Sequence, residues 1–124
     1  EKQAVLSDER KASPPKAKPI TDIFASVVKS KNGSEYCQVT FTVKDEFFPK
    51  KMPLMFGHPT AHSMAVRKWK KITTKWGSPS QPWMAAELIN SGAFDTISEI
   101  IVQKQGKYEN VVGIKTKQNE DITL

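Results

Sequence analysis

The stretch that decides the fold runs Ser30-Lys31-Asn32-Gly33-Ser34-Glu35-Tyr36-Cys37-Gln38-Val39-Thr40-Phe41-Thr42-Val43. Asn32-Gly33 is a strong turn signal, because both residues tolerate positive φ without steric cost. Beyond the turn the chain alternates: Cys37, Val39, Phe41 and Val43 share one face, and Tyr36, Gln38, Thr40 and Thr42 share the other. One face therefore belongs to a core and the other to solvent or a ligand. Before the turn, Ile23-Phe24-Ala25-Ser26-Val27-Val28 is a short run of strand formers. The two segments form a hairpin.

A second hairpin is expected near the C-terminus, where Ile97 to Val102 and Val111 to Ile114 flank a turn around Gln105-Gly106-Lys107. Gly113 inside its strand marks a bulge or tight bend, the device that coils a sheet. Between the hairpins, residues 44–95 are too many for one loop and must carry structure. Ala61, Met64, Ala65, Lys68, Trp69 and Ile72 follow helical spacing, and Gly77-Ser78-Pro79 stops that run. A second helix starts at Pro82, with Ser80 available as its cap, and ends at Asn90-Ser91-Gly92. The expected class is β-rich, either all-β or α+β, with one or two helices inserted between hairpins.

The chain has 124 residues, the size of one domain. Residues 1–19 are dominated by Lys, Glu, Ser, Ala and Pro and read as a flexible arm, in which Lys11, Lys16 and Lys18 are candidate contacts to nucleic acid. Residues 20–118 form the single folded domain. Residues 119–124 are read as a short tail that either frays or docks a partner. No window of 18 apolar residues and no basic–apolar–small leader pattern occurs, so neither a membrane span nor a signal peptide is expected. A lone cysteine, Cys37, fits a reducing compartment, cytoplasmic or nuclear.

Lys and Arg number 19 against 13 Asp and Glu, a formal charge of +6, which favours a polyanionic partner. The excess is clustered in Arg67-Lys68-Trp69-Lys70-Lys71-Ile72-Thr73-Thr74-Lys75-Trp76, five cations and two tryptophans without an acid. Cations neutralise phosphates, and indole rings stack on unpaired bases at roughly 1–3 kcal/mol each. The competing reading is an amphipathic helix whose Trp69 and Ile72 face the core while the lysines are merely solvated. Upstream, residues 44–56 read as a protruding loop in which Phe47 and Phe48 are candidate stacking rings and Lys50 and Lys51 extend the positive track. Tyr36, Gln38, Thr40 and Thr42 form a polar floor, and Tyr108 stands beside Lys104 and Lys107 at the last turn.

Catalytic signals are weak. His58 and His62 are four apart, but Pro59 starts a helix rather than continuing one, and only Cys37 is left as a soft ligand. Cys37 falls on the core alternation, as an inert thiol does. Glycines are scattered singly, so no phosphate loop is present, and Glu87, Asp95 and Glu99 lack a paired spacing. No catalytic residue, metal or cofactor is assigned.

With two hairpins around a helix-bearing middle, and basic and aromatic residues in the connections, residues 23–117 resemble the OB-fold of single-stranded DNA-binding proteins of phages and replication systems. That resemblance implies a small antiparallel barrel whose sheet face and connections bind single-stranded nucleic acid, with DNA favoured over RNA, and with little sequence preference. It also implies a third barrel strand near Leu54 to Phe56, limited to an edge by Pro53. The rival readings are a protein-interaction module of a replication or viral assembly anchored by Trp69, Trp76 and Trp83, with self-association through the tail or Trp residues, an RNA-binding domain, and a small enzyme that uses His58 or His62 beside a carboxylate in a cleft.

Overall fold

The computed structural model describes residues 14–124. Six strands, β1 (Lys16–Lys29), β2 (Glu35–Val43), β3 (Lys50–Leu54), β4 (Ile97–Gln105), β5 (Tyr108–Thr116) and β6 (Asp121–Thr123), form one sheet in the order β3-β2-β1-β4-β5-β6. Every pairing is antiparallel. Helices α1 (His62–Ile72) and α2 (Pro82–Leu88) lie between β3 and β4, as the sequence requires of its middle segment.

β1 is long because it serves two neighbours. Its first residues, Lys16–Pro19, pair with β4, and the register with β2 begins at Ile20. Pro19 stands at the change of partner, where a missing N–H costs least, and its carbonyl accepts the Lys44 N–H at 3.0 Å. The arm expected for residues 1–19 is therefore shorter: Lys16 to Pro19 are strand, because β4 supplies the hydrogen bonds that their own side chains do not favour. Residues 1–13, including Lys11, lie outside the described residues.

The hairpins form where expected, with Gly33 at φ 89° and the second turn reduced to Gly106-Lys107. Gly113 sits beside an irregularity: Ile101 pairs with Gly113 but Val102 pairs with Val111. A Cβ there would lie 2.8 Å from the Ile122 carbonyl, so β6 can close on β5 only over a glycine. Asp121–Thr123 are consequently a paired strand and not a frayed tail. The third strand is Lys50–Leu54, earlier in the chain than Leu54 to Phe56, because Lys50 to Leu54 take the register opposite Phe41 to Cys37. Ser80 does not cap α2; its hydroxyl meets the Met84 sulfur at 3.4 Å.

Cys37, Val39, Phe41 and Val43 are buried, against Met52, Leu54, Ile100, Val102 and Ile114 from the sheet and Ala65, Trp69, Ile72, Ala85 and Phe94 from the helical segment. Trp69 is fully buried, with ring centroids 5.8 Å from Phe56 and 5.0 Å from Phe94. The helices thus cover one face of a curled sheet, and its other face is left to solvent. The sheet is not closed into a barrel: no ladder joins β3 to β5. Instead, Lys50 on β3 reaches Glu109 on β5 at 2.5 Å, and Lys18 on β1 lies 3.5 Å from the same carboxylate. Side chains span the seam where backbone bonds do not.

Candidate nucleic-acid interface

Antiparallel register places directly opposed residues on one face, so Phe24, Thr40 and Lys51 form one row across β1, β2 and β3, and Ser26, Gln38 and Pro53 the next. Asp22 opposite Thr42 and Val28 opposite Tyr36 complete this face. It points away from the core, since the intervening residues of β2 are buried. Thr40 is itself buried to 3% exposure, so of the expected polar floor Gln38 and Thr42 are half-buried and Thr40 is covered.

The connection 44–49 rises beside this floor. Asp45 takes φ 64° and the Glu46 N–H returns to the Val43 carbonyl at 3.2 Å, a tight turn that throws Phe47 and Phe48 outward. Phe47 is 92% exposed and Phe48 73%, their rings edge-to-face at 5.1 Å. Apolar rings so exposed are costly to leave in water without a partner. Phe47 and Phe24, itself 47% exposed, stand on the walls of a cleft of about 400 Å³ whose floor is Gln38, Thr40 and Thr42 and whose rim carries Lys51.

Glu46 also lines the cleft. Its carboxylate accepts from Lys18 at 2.7 Å and lies 3.6 Å from Lys50. The Lys18 hydrogen bond holds the Glu46 carboxyl below its ordinary range, the Lys50 hydrogen bond does the same for Glu109, and Glu46 raises Lys18. Lys50 is therefore half-buried and neutralised by two carboxylates, not a free cation for phosphate, whereas Lys51 points outward and is exposed. Alternation along β3 sends these neighbours to opposite faces.

The basic stretch is a separate surface. Arg67, Lys70, Lys71 and Lys75 are exposed and Lys68 half-buried, on α1 and just beyond it. Trp69, expected among the stacking rings, is buried on the inner side of α1 and has no exposed face for a base; its Nε1–H donates to the Trp76 carbonyl at 3.3 Å. Trp76 is half-buried against the core rather than open at the surface, because the chain folds back over Trp69 there. The core lies between these cations and the sheet cleft. Lys104, Lys107 and the 73% exposed Tyr108 form the β4–β5 turn, adjoining Glu109 at the seam, and Tyr36 sits half-buried near the far end of the sheet face.

Two exposed rings escaped the sequence reading as stacking candidates. Phe24 lies in an apolar run whose faces the sequence does not assign: the Ser30 N–H meets the Ser34 carbonyl at 2.7 Å, so the turn has three residues, 31–33, and Phe24 falls opposite Thr40, where a two-residue Asn32-Gly33 turn would put it opposite Phe41. Trp83, 58% exposed, borders a second cleft of about 380 Å³ with Val27, Pro59 and Pro82.

His58 and His62 serve the turn before α1. The His58 Nδ1 accepts the N–H groups of Thr60 and Ala61 at 3.2 Å, and the His62 Nδ1 accepts that of Gly57 at 2.8 Å. Among the described residues no three His, Cys, Asp or Glu side chains converge on a metal-sized site. Cys37 is fully buried and its thiol is pushed up to about 12 by burial. No helix among the described residues is long and apolar enough to cross a membrane. Comparison with family models, curated proteins and solved structures finds no match.

Proposed function

We propose that this chain is a single-stranded nucleic-acid-binding module of the OB type, with DNA the favoured strand and the outer face of β1-β2-β3 as its site. The observation that carries the reading is the cleft in which Phe24 and Phe47 flank a polar floor beneath Lys51. Rings that select unpaired bases and a cation that takes phosphate are the two components of such sites. Several features of the fold support the family. An OB-fold is a partly open five-stranded barrel that binds through its second and third strands. Here a long β1 is shared between β2 and β4, the helices fall between β3 and β4, and β3 and β5 meet at a seam of ion pairs.

Two features set this chain apart. β6 is an added strand, and the β1–β2 and β4–β5 connections are short turns, so the ligand-binding work of long loops moves to residues 44–49. Rings in that loop and on the sheet make contacts without base-edge hydrogen bonds beyond those of Gln38 and Thr42, hence slight sequence preference.

The test is a fluorescence-anisotropy titration of labelled oligo-dT at several salt concentrations. Binding that weakens steeply with salt is expected, and the Phe24→Ala/Phe47→Ala variant should bind about 25-fold or more weakly, at 1–3 kcal/mol for each lost stack. Wild-type affinity in that variant removes the proposal.

A further inference from the structure

We infer that the outer face of α1 is a second polyanion site, specific for the phosphate backbone of nucleic acid, so that one chain holds two nucleic-acid segments at once. The two-segment part rests on the single-strand reading of the sheet cleft; the α1 site does not.

Five cations, Arg67, Lys68, Lys70, Lys71 and Lys75, crowd this face, and the chain has no acid anywhere from Phe47 to Ala86. The ion pairs of the described residues all fall in the Lys18–Glu46–Lys50–Glu109 group, so none neutralises this cluster. Lys71 donates to a neutral carbonyl, that of Thr123, at 3.0 Å, which fixes the ammonium group without cancelling its charge. Lys70 and Lys71 lie in the last turn of α1, where they complement the helix dipole. Arg67 and Lys75 do not, so dipole complementation leaves the cluster unexplained.

The chemistry of this face differs from that of the cleft. Its tryptophan is turned inward, and its apolar part is Met64 beside Leu124, around a depression of only about 100 Å³. Without exposed rings it does not select unpaired bases, and without a deep apolar pocket it lacks the anchor on which a protein partner depends. What remains is closely spaced charge. Arg67 and Lys71 are about 6 Å apart along the helix, close to the axial rise of two nucleotides in one strand of a duplex, so phosphates two positions apart are engaged there. With the core between the surfaces, a strand in the sheet cleft does not block α1.

The experiment captures a labelled short duplex on beads bearing oligo-dT, using wild type, Lys70→Glu/Lys71→Glu and Phe24→Ala/Phe47→Ala, each first shown to be folded by a cooperative urea transition. Wild type should bridge the two nucleic acids. The Lys70→Glu/Lys71→Glu variant should keep its oligo-dT affinity within a few fold, lose at least tenfold in duplex affinity, and flatten the log–log salt dependence of duplex binding by about 2. Duplex binding unchanged by this double substitution overturns the inference. So does a wild type that binds polyglutamate but no duplex, which assigns the face to an acidic protein. If Phe24→Ala/Phe47→Ala binds oligo-dT like wild type while duplex binding still depends on Lys70 and Lys71, the cleft reading fails and the α1 site stands.

Discussion

The side-chain amide of Asn90 pairs with both backbone groups of Ala25: its Oδ1 accepts the Ala25 N–H at 2.8 Å and its Nδ2–H donates to the Ala25 carbonyl at 2.9 Å. Ala25 lies past the point where β1 parts from β4, so its outward backbone groups have no strand to meet. Asn90 acts as a one-residue strand and ties the helical segment to the sheet. Asn90→Ala leaves both groups unpartnered, and a loss of about 2 kcal/mol is expected, read as a lower urea midpoint with unchanged slope. Asn90→Asp keeps the acceptor but loses the donor, so it should also destabilise.

The seam predicts a pH dependence. Glu46 and Glu109 have folded pKa values below 4.5, so their contribution is present above that pH and is lost as pH falls through the lowered values. Lys18 is raised above 10.5, so its contribution is present below that pH and is lost as pH rises through the raised value. The seam's contribution to stability against urea should be flat between these limits and fall on both sides. Glu109→Gln should flatten the acid limb, and an acid limb unchanged in that variant would show that the seam ion pairs are not its cause.

Trp69→Ala should cost about 3–5 kcal/mol, the usual penalty for emptying a buried indole site, whereas Trp69→Phe should leave oligonucleotide affinity unaltered. Iodide should quench Trp83 and spare Trp69. A binding defect in folded Trp69→Phe would contradict the burial seen here.

Cys37 gives a probe of opening. With its thiol fully buried and pushed up to about 12, it should resist a thiol reagent at neutral pH and react only as fast as the sheet opens. Labelling should therefore accelerate in Asn90→Ala by about tenfold for each ~1.4 kcal/mol of lost stability.

Strand periodicity made β2, the hairpin turns and the buried Cys37 legible, because alternation and Asn-Gly turns are local signals. The inner face of α1 was legible as well, through the spacing of Ala65, Trp69 and Ile72. Strand assignment failed at Lys16–Pro19, where a long-range partner, β4, imposes strand on residues of low β-propensity, and at Asp121–Thr123, a segment too short to show alternation that is strand only because β5 pairs with it. The same limit hid the loss of Lys50 as a free cation: its neutralising partner Glu109 is 59 positions away and meets it only when the sheet curls. Phe24 joined the site by register alone, and register depends on the turn and the opposing strand together.

The central claim, that unpaired bases lie between Phe24 and Phe47, is tested most directly by photo-crosslinking an oligonucleotide carrying bromodeoxyuridine and mapping the adducts by mass spectrometry. Adducts on peptides containing Phe24 and Phe47, diminished in Phe24→Ala/Phe47→Ala, are predicted. Adducts confined to Trp83 or to α1, with none on the sheet face, would contradict it.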